Sequence, residues 1–150
     1  MKTDLEVTQE ILIQAPKSQV WRFLMDAEKM STWLGADEFV IDMSDGGKIE
    51  IPLSFGDHDY LIIGEFSILL FEERYAFIWR ERDTFGNEWF NCTTVIFDLK
   101  EEDGGTLIKL EHNGFKYLPL EEQEGIHQRY VDFWGNSGIL DRLKSLILAD

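Results

Sequence analysis

Three histidines, one cysteine and a set of carboxylates are the side chains here that could move protons, attack a carbonyl or hold a metal. Zinc needs three or four His, Cys or carboxylate ligands converging on one point. His58, His112 and His127 have no short ligand spacing between them, so no metal site is expected. Cys92 stands alone, which excludes an intrachain disulfide and a C-x-x-C site. The nucleophile elbow G-x-S-x-G, the phosphate loop G-x-x-x-x-G-K-[ST] and the dinucleotide motif G-x-G-x-x-G are absent, and no cofactor is expected. General acid and base chemistry remains: a histidine near a buried carboxylate can shuttle protons on a bound ligand. His112 with Glu81 is the pair that fits best.

The other candidates emerge from strand alternation, which sends every second side chain to the same face. In "WFNCTTVIFDL" Trp89, Asn91 and Thr93 share a face with Val95, Phe97 and Leu99, and in "LIKLEH" His112 shares one with Ile108 and Leu110. The same count turns Tyr75, Phe77, Trp79 and Glu81 inward from "RYAFIWRE", and Tyr60, Ile62, Phe66 and Ile68 inward from "YLIIGEFSI". A bulge in any strand would reverse these assignments. The expected interior wall is aromatic and aliphatic, with Tyr60, Asn91, Thr93 and His112 as polar groups near strand ends. Apolar surface with a few orienting polar groups is what a small-molecule pocket requires. Cys92 falls on the face opposite Asn91.

These side chains must be held by elements, and the punctuation of the chain supplies them. "LEVTQEILIQ" alternates as a half-buried strand, and Pro16 suits the first turn of a helix carrying Val20, Trp21 and Leu24. Asp26 is placed to cap a second helix that Gly35 stops, with Trp33 on its apolar side. Turn-forming clusters then separate runs at about 36–43, 47–54, 60–71, 74–82, 88–100 and 105–113, a six-strand antiparallel meander. From Leu120 to Ala149 apolar residues including Tyr130, Phe133, Trp134 and Leu143 recur at helical spacing. One helix of that length would measure ~45 Å and must lie on the meander. The fold class is α+β, in the order β-α-α-β-β-β-β-β-β-α, with a curved antiparallel sheet of about seven strands around a terminal helix.

Inside that helix stands "GNSG", residues 135–138, a poor helical choice at ~1 kcal/mol per glycine relative to alanine. Two explanations compete: small residues letting the helix approach the sheet closely, with Tyr130 and Trp134 bordering a space, or a kink.

At 150 residues the chain fits one domain. Its 29 acidic and 14 basic residues give a formal charge of −15, which opposes nucleic acid and anionic lipid surfaces. No apolar run reaches the ~20 residues of a membrane helix, and "MKTDLEVTQEILIQAP" lacks the apolar core of a signal peptide. A cytoplasmic protein without membrane insertion is expected.

The element order and three stretches, "IQAPKSQVWRFLMDAEKMSTWL" (13–34), "TTVIFDLKEEDGGTLIKLEHNGF" (93–115) and "LDRLKSL" (140–146), resemble the START-like (SRPBCC, helix-grip) superfamily. Within it they resemble the family of the C-terminal domain of the activator of heat-shock protein 90 ATPase. The resemblance spans essentially the whole chain, although here Trp134 precedes Gly135 where family members often carry Gly-Trp. It implies a single START-like domain that encloses a small apolar or amphipathic molecule, lipid included, between sheet and final helix. The residues expected to line that cavity are Tyr60, Phe66, Phe77, Trp79, Trp89, Asn91, Thr93, His112, Tyr130 and Trp134. Two other functions stand beside ligand binding: regulation of a chaperone ATPase, which the family name implies, and a cavity enzyme of cyclase or hydrolase type. Binding is preferred to catalysis.

Overall fold

The computed structural model describes residues 5–36 and 39–150. Strand β1 (Val7–Ile13) is followed by helices α1 (Lys17–Leu24) and α2 (Ala27–Leu34). Six strands come next: β2 (Val40–Ile41), β3 (Lys48–Phe55), β4 (His58–Leu70), β5 (Arg74–Asp83), β6 (Thr93–Glu102) and β7 (Gly105–Asn113). A 3₁₀ turn at Phe115–Tyr117 leads to α3 (Gln123–Gly135) and α4 (Ile139–Ala149). The seven strands form one antiparallel sheet in the order β1-β7-β6-β5-β4-β3-β2. The meander closes against β1, whose Val7 lies opposite His112 and whose Ile13 lies opposite Thr106. Of the strand expected at 36–43, residues 37 and 38 lie outside the described residues, and the described part pairs only over Val40–Ile41.

Local chemistry explains most boundaries. The Asp26 carboxylate accepts a bond from the Lys29 N–H at 3.2 Å, capping α2, and Gly35 ends it in the left-handed region. Asp103 and Gly104, both at positive φ, make the tight turn that joins β6 to β7. One sheet face is apolar by alternation: Tyr75, Phe77 and Trp79 on β5, Val95, Phe97 and Leu99 on β6, and Ile108 and Leu110 on β7 are all buried. Their rings interlock, Phe66 tilted on Tyr75 with centroids 5.2 Å apart and Tyr75 edge to face with Phe77 at 5.5 Å. Trp21 packs on Tyr75, and Trp33 is fully buried against Phe97 at 5.7 Å, so both helix-pair tryptophans belong to the core.

Three expectations need correction. A bulge between Phe66 and Ile68 inserts one residue into β4, so Ile68 pairs with Ala76 away from the inner face and Leu69, opposite Tyr75, replaces it. The strand expected at 88–100 begins only at Thr93. Thr93 pairs with Trp79, yet the Trp89 N–H already reaches the Glu81 carbonyl at 3.0 Å, two residues further along β5. More chain lies between those two contacts than regular pairing would use, and Phe90 and Asn91 are extruded to the surface. Asn91 therefore leaves the inner face on which strict alternation placed it.

The single long C-terminal helix is two helices. Gly135 ends α3, Asn136 donates its backbone N–H to the Asp132 carbonyl, and Gly138 at φ +80° starts α4. Nothing lies within 4 Å of where a Gly138 Cβ would stand, and at Gly135 only the end of the flexible Gln9 side chain does. The small residues break the helix; close approach to the sheet is not their role. The space between sheet and α3 holds aromatic rings: Trp134 lies 5.9 Å from Trp79 and 6.2 Å from Phe97, and Phe133 lies 6.2 Å from Trp79.

Candidate functional site

Two hydrogen-bonded groups of buried polar side chains lie where β5, β6 and β7 face α3. The first is sealed. The Trp134 indole N–H donates to His112 Nδ1 at 3.0 Å, and an indole can only donate, so Nδ1 must be the unprotonated nitrogen. His112 Nε2 then carries the hydrogen and donates to Thr93 Oγ1 at 2.8 Å, and the Thr93 hydroxyl donates to the Trp79 carbonyl at 2.9 Å. Every polar atom of the imidazole is used and the ring is neutral. Phe115, tilted, and Tyr130, edge-on, both lie 4.7 Å from the His112 ring, and burial drives its pKa down to about 3, with a smaller push from His127.

The second group opens outward. Trp79 Nε1 donates to Tyr130 Oη at 2.7 Å, and Tyr130 Oη makes a very short bond to Glu81 Oε2. One Arg129 nitrogen spans both Glu81 oxygens at 2.7 and 2.8 Å. A buried carboxylate without a cation costs several kcal/mol, and the guanidinium answers that charge. Its Cζ lies 4.6 Å from the Tyr60 ring and 4.8 Å from the Phe55 ring, and its Nε is buried without an acceptor. Burial raises the Glu81 pKa, against the opposing pull of Arg129 and Tyr130. Burial and the neighbouring Glu81 charge raise Tyr130 well above the ordinary tyrosine value.

Glu81, Arg129 and Tyr60 form the floor of a groove of about 860 Å³. One wall is the β5–β6 connection, from Asp83 through Trp89 to Asn91; the other is the segment from Tyr117 to Glu122 with Gly125 and Ile126 of α3. The Asn91 side-chain amide donates to the Tyr117 carbonyl at 2.9 Å and ties the walls together. Asp83 shapes its wall by accepting backbone bonds from Phe85 and Asn87 at 2.9 and 2.8 Å. Those bonds hold its carboxyl below the usual range. Phe90, at 95% exposure, and Tyr117, at 58%, stand at the rim.

Of the residues singled out in the sequence, Tyr60, Trp89 and Asn91 line this groove and Glu81 lies at its base. Phe66, Phe77, Trp79, Thr93, His112, Tyr130 and Trp134 are buried in the core beneath it. His112 and Glu81 share no hydrogen bond among the described residues; the Tyr130 and Trp79 rings lie between their networks. Reading the sequence missed Arg129, Asp83, Tyr117 and Glu122. Arg129 had a signal: a glutamate turned inward at the end of an apolar strand demands a cation.

A family model described as Activator of Hsp90 ATPase homolog 1-like protein matches residues 14–147. No curated sequence matches significantly. Among solved structures, protein Ms6760 from Mycobacterium smegmatis is 19% identical, covering 97% of this chain and 92% of its own, with a TM-score of 0.76. Protein NE0264 from Nitrosomonas europaea is 16% identical over 99% and 97% at a TM-score of 0.72. Protein CV1439 from Chromobacterium violaceum is 20% identical over 97% and 99% at 0.71. Identities this low speak for a shared fold.

Proposed function

The chain belongs to the Activator of Hsp90 ATPase homolog 1-like protein family, with the helix-grip fold of the SRPBCC, START-like proteins, and on that premise we propose that it binds a small amphipathic molecule in the groove over Glu81 and Arg129. One observation carries the reading: a hydrogen-bonded polar floor lies beneath an opening of about 860 Å³ walled by Trp89, Tyr117 and Ile126. Apolar walls supply affinity, and a few fixed polar groups supply orientation. The ligand would contact Tyr60, Trp89 and Asn91, while Trp79, His112, Tyr130 and Trp134 support the floor from below. We place this binding in one START-like domain working in a reducing compartment such as the cytoplasm, supported by the lone thiol of Cys92. Among the described residues no helix is long and apolar enough to cross a membrane.

Uptake of the neutral apolar dye Nile red, followed by fluorescence, tests the reading. Trp89 is half-buried at the edge of the core, with its ring edge-on to Tyr130 at 6.4 Å. Trp89→Ala is expected to weaken dye binding about tenfold, equivalent to ~1.4 kcal/mol, in a protein that still folds, with a melting temperature lowered by the lost packing. Dye uptake equal to wild type in a folded Trp89→Ala protein would exclude the groove.

A further inference from the structure

We infer that the groove selects an organic cation, an amine or quaternary ammonium carried on an apolar body; the inference rests on the groove being the binding site proposed above. Four carboxylates line it, from Glu81, Asp83, Glu88 and Glu122, against the single guanidinium of Arg129. Arg129 answers Glu81 at 2.7 Å, and Glu88 is answered by Arg82 at 3.0 Å and Arg80 at 3.7 Å. Asp83 and Glu122 have no cation within ion-pair distance among the described residues. Asp83, whose oxygens accept bonds from Phe85 and Asn87, and Glu122 therefore line the opening with negative charge that no cation among the described residues pairs.

The walls suit the same ligand. Tyr60, Trp89, Phe90 and Tyr117 line the space, and aromatic rings attract cations through the negative lobe of their quadrupole: Arg129 already lies over the Tyr60 ring and Lys116 over the Tyr117 ring, at 4.6 and 5.3 Å. The protein already uses this combination once, since the Arg129 guanidinium sits over the Tyr60 and Phe55 rings with a carboxylate at its end. A ligand cation would meet rings and carboxylates again, further out. An anionic ligand would lie beside Asp83 and Glu122, and the charge of Arg129 is already shared with Glu81, both of whose oxygens one of its nitrogens spans. A formal charge of −15 adds a long-range field with the same preference.

Three probes with one body and different heads test the inference: octyltrimethylammonium, 1-octanol and octanoate, below micellar concentration in 0.15 M NaCl. Binding is read from the indole N–H NMR signal of Trp89, assigned by its loss in Trp89→Phe. The cation is expected to bind about tenfold more tightly than octanol, and octanoate more weakly than either. Glu122→Gln, a change of an exposed side chain, should weaken the cation about threefold and leave octanol unchanged. Equal or tighter binding of octanol or octanoate at the Trp89 signal overturns the choice of cation and leaves the groove standing. A cation preference untouched by Glu122→Gln also overturns it, because the preference then comes from the surface at large. If no probe moves the Trp89 signal, the groove itself is not the binding site and both readings fall.

Discussion

His112 is a histidine removed from the pH range in which histidines usually work. An indole donor on Nδ1 and a hydroxyl acceptor on Nε2 leave no room for a second ring proton, and enclosure by Phe115, Tyr130 and Trp134 penalises the charge such a proton would bring. The consequence is a stability that depends on acid. Unfolded, the ring titrates near 6.5, and folded, near 3. Between those values the unfolded chain binds more protons, so this contribution is complete above about pH 6.5 and is lost as the pH falls toward 3. At pH 5 the loss is about 2 kcal/mol. Urea unfolding at pH 7 and pH 5 should show wild type losing that much more than His112→Asn. The raised Glu81 pKa acts in the opposite sense, penalising the ionised fold as pH rises, but both proteins share it and the difference removes it. Equal losses in the two proteins would mean that His112 accepts a proton within the fold.

At the scale of elements, the break between α3 and α4 depends on a backbone that alanine tolerates poorly. Gly138 holds φ +80° in open space, so a methyl group meets strain and gains no contact. Gly138→Ala should cost about 1–2 kcal/mol and lower the melting temperature by several degrees, with dye uptake unchanged; calorimetry and the Nile red titration check the two halves. What the sequence made legible follows the same division. Alternation along Tyr75, Phe77, Trp79 and Glu81 and along Thr93, Val95 and Phe97 identified the inner face because period two is written residue by residue. The bulge after Phe66 and the extrusion of Phe90 and Asn91 were hidden, since each depends on how two strands count against each other. Near "GNSG" two signals conflicted: apolar spacing ran on from Trp134 to Leu140 and Leu143 while local propensity argued for a stop, and propensity won. The groove was legible only in part because much of its walls is loop. Asp83 continues the period two of β5 one step past Glu81, whereas Tyr117 and Glu122 carry no periodic pattern; they meet because an Asx-type turn at Asp83 and the 3₁₀ turn after Gly114 bring them together.

Taken whole, the molecule has a packed aromatic middle, with the groove over Glu81 at one end and a second opening of about 730 Å³ bordered by Leu53, Phe133 and Ile139. Aromatic rings fill the middle from Trp21 to Trp134, and the polar groups that cannot join them collect at the end where Glu81, Arg129 and the two wall loops meet. The sheet edges are managed differently: β2 is only two residues long, whereas β1 lies beside α3, where the His127 ring bonds the Glu6 carbonyl at 2.7 Å. The helix break also divides the C-terminal segment into two units that need not open together. Of α3 only Gln123, Tyr130 and Trp134 are buried, while the shorter α4 buries Ile139, Leu140, Leu143 and Ile147. With no continuous backbone ladder across residues 136–138, an opening that starts at Gln123 can stop at Gly135. In hydrogen–deuterium exchange followed by mass spectrometry, peptides from α3 should therefore take up deuterium well before those from α4. A molecule seated against Ile126 and Arg129 should slow α3 alone, so that the time course of one helix, with the other as its internal clock, reports occupancy without a dye or a tagged ligand.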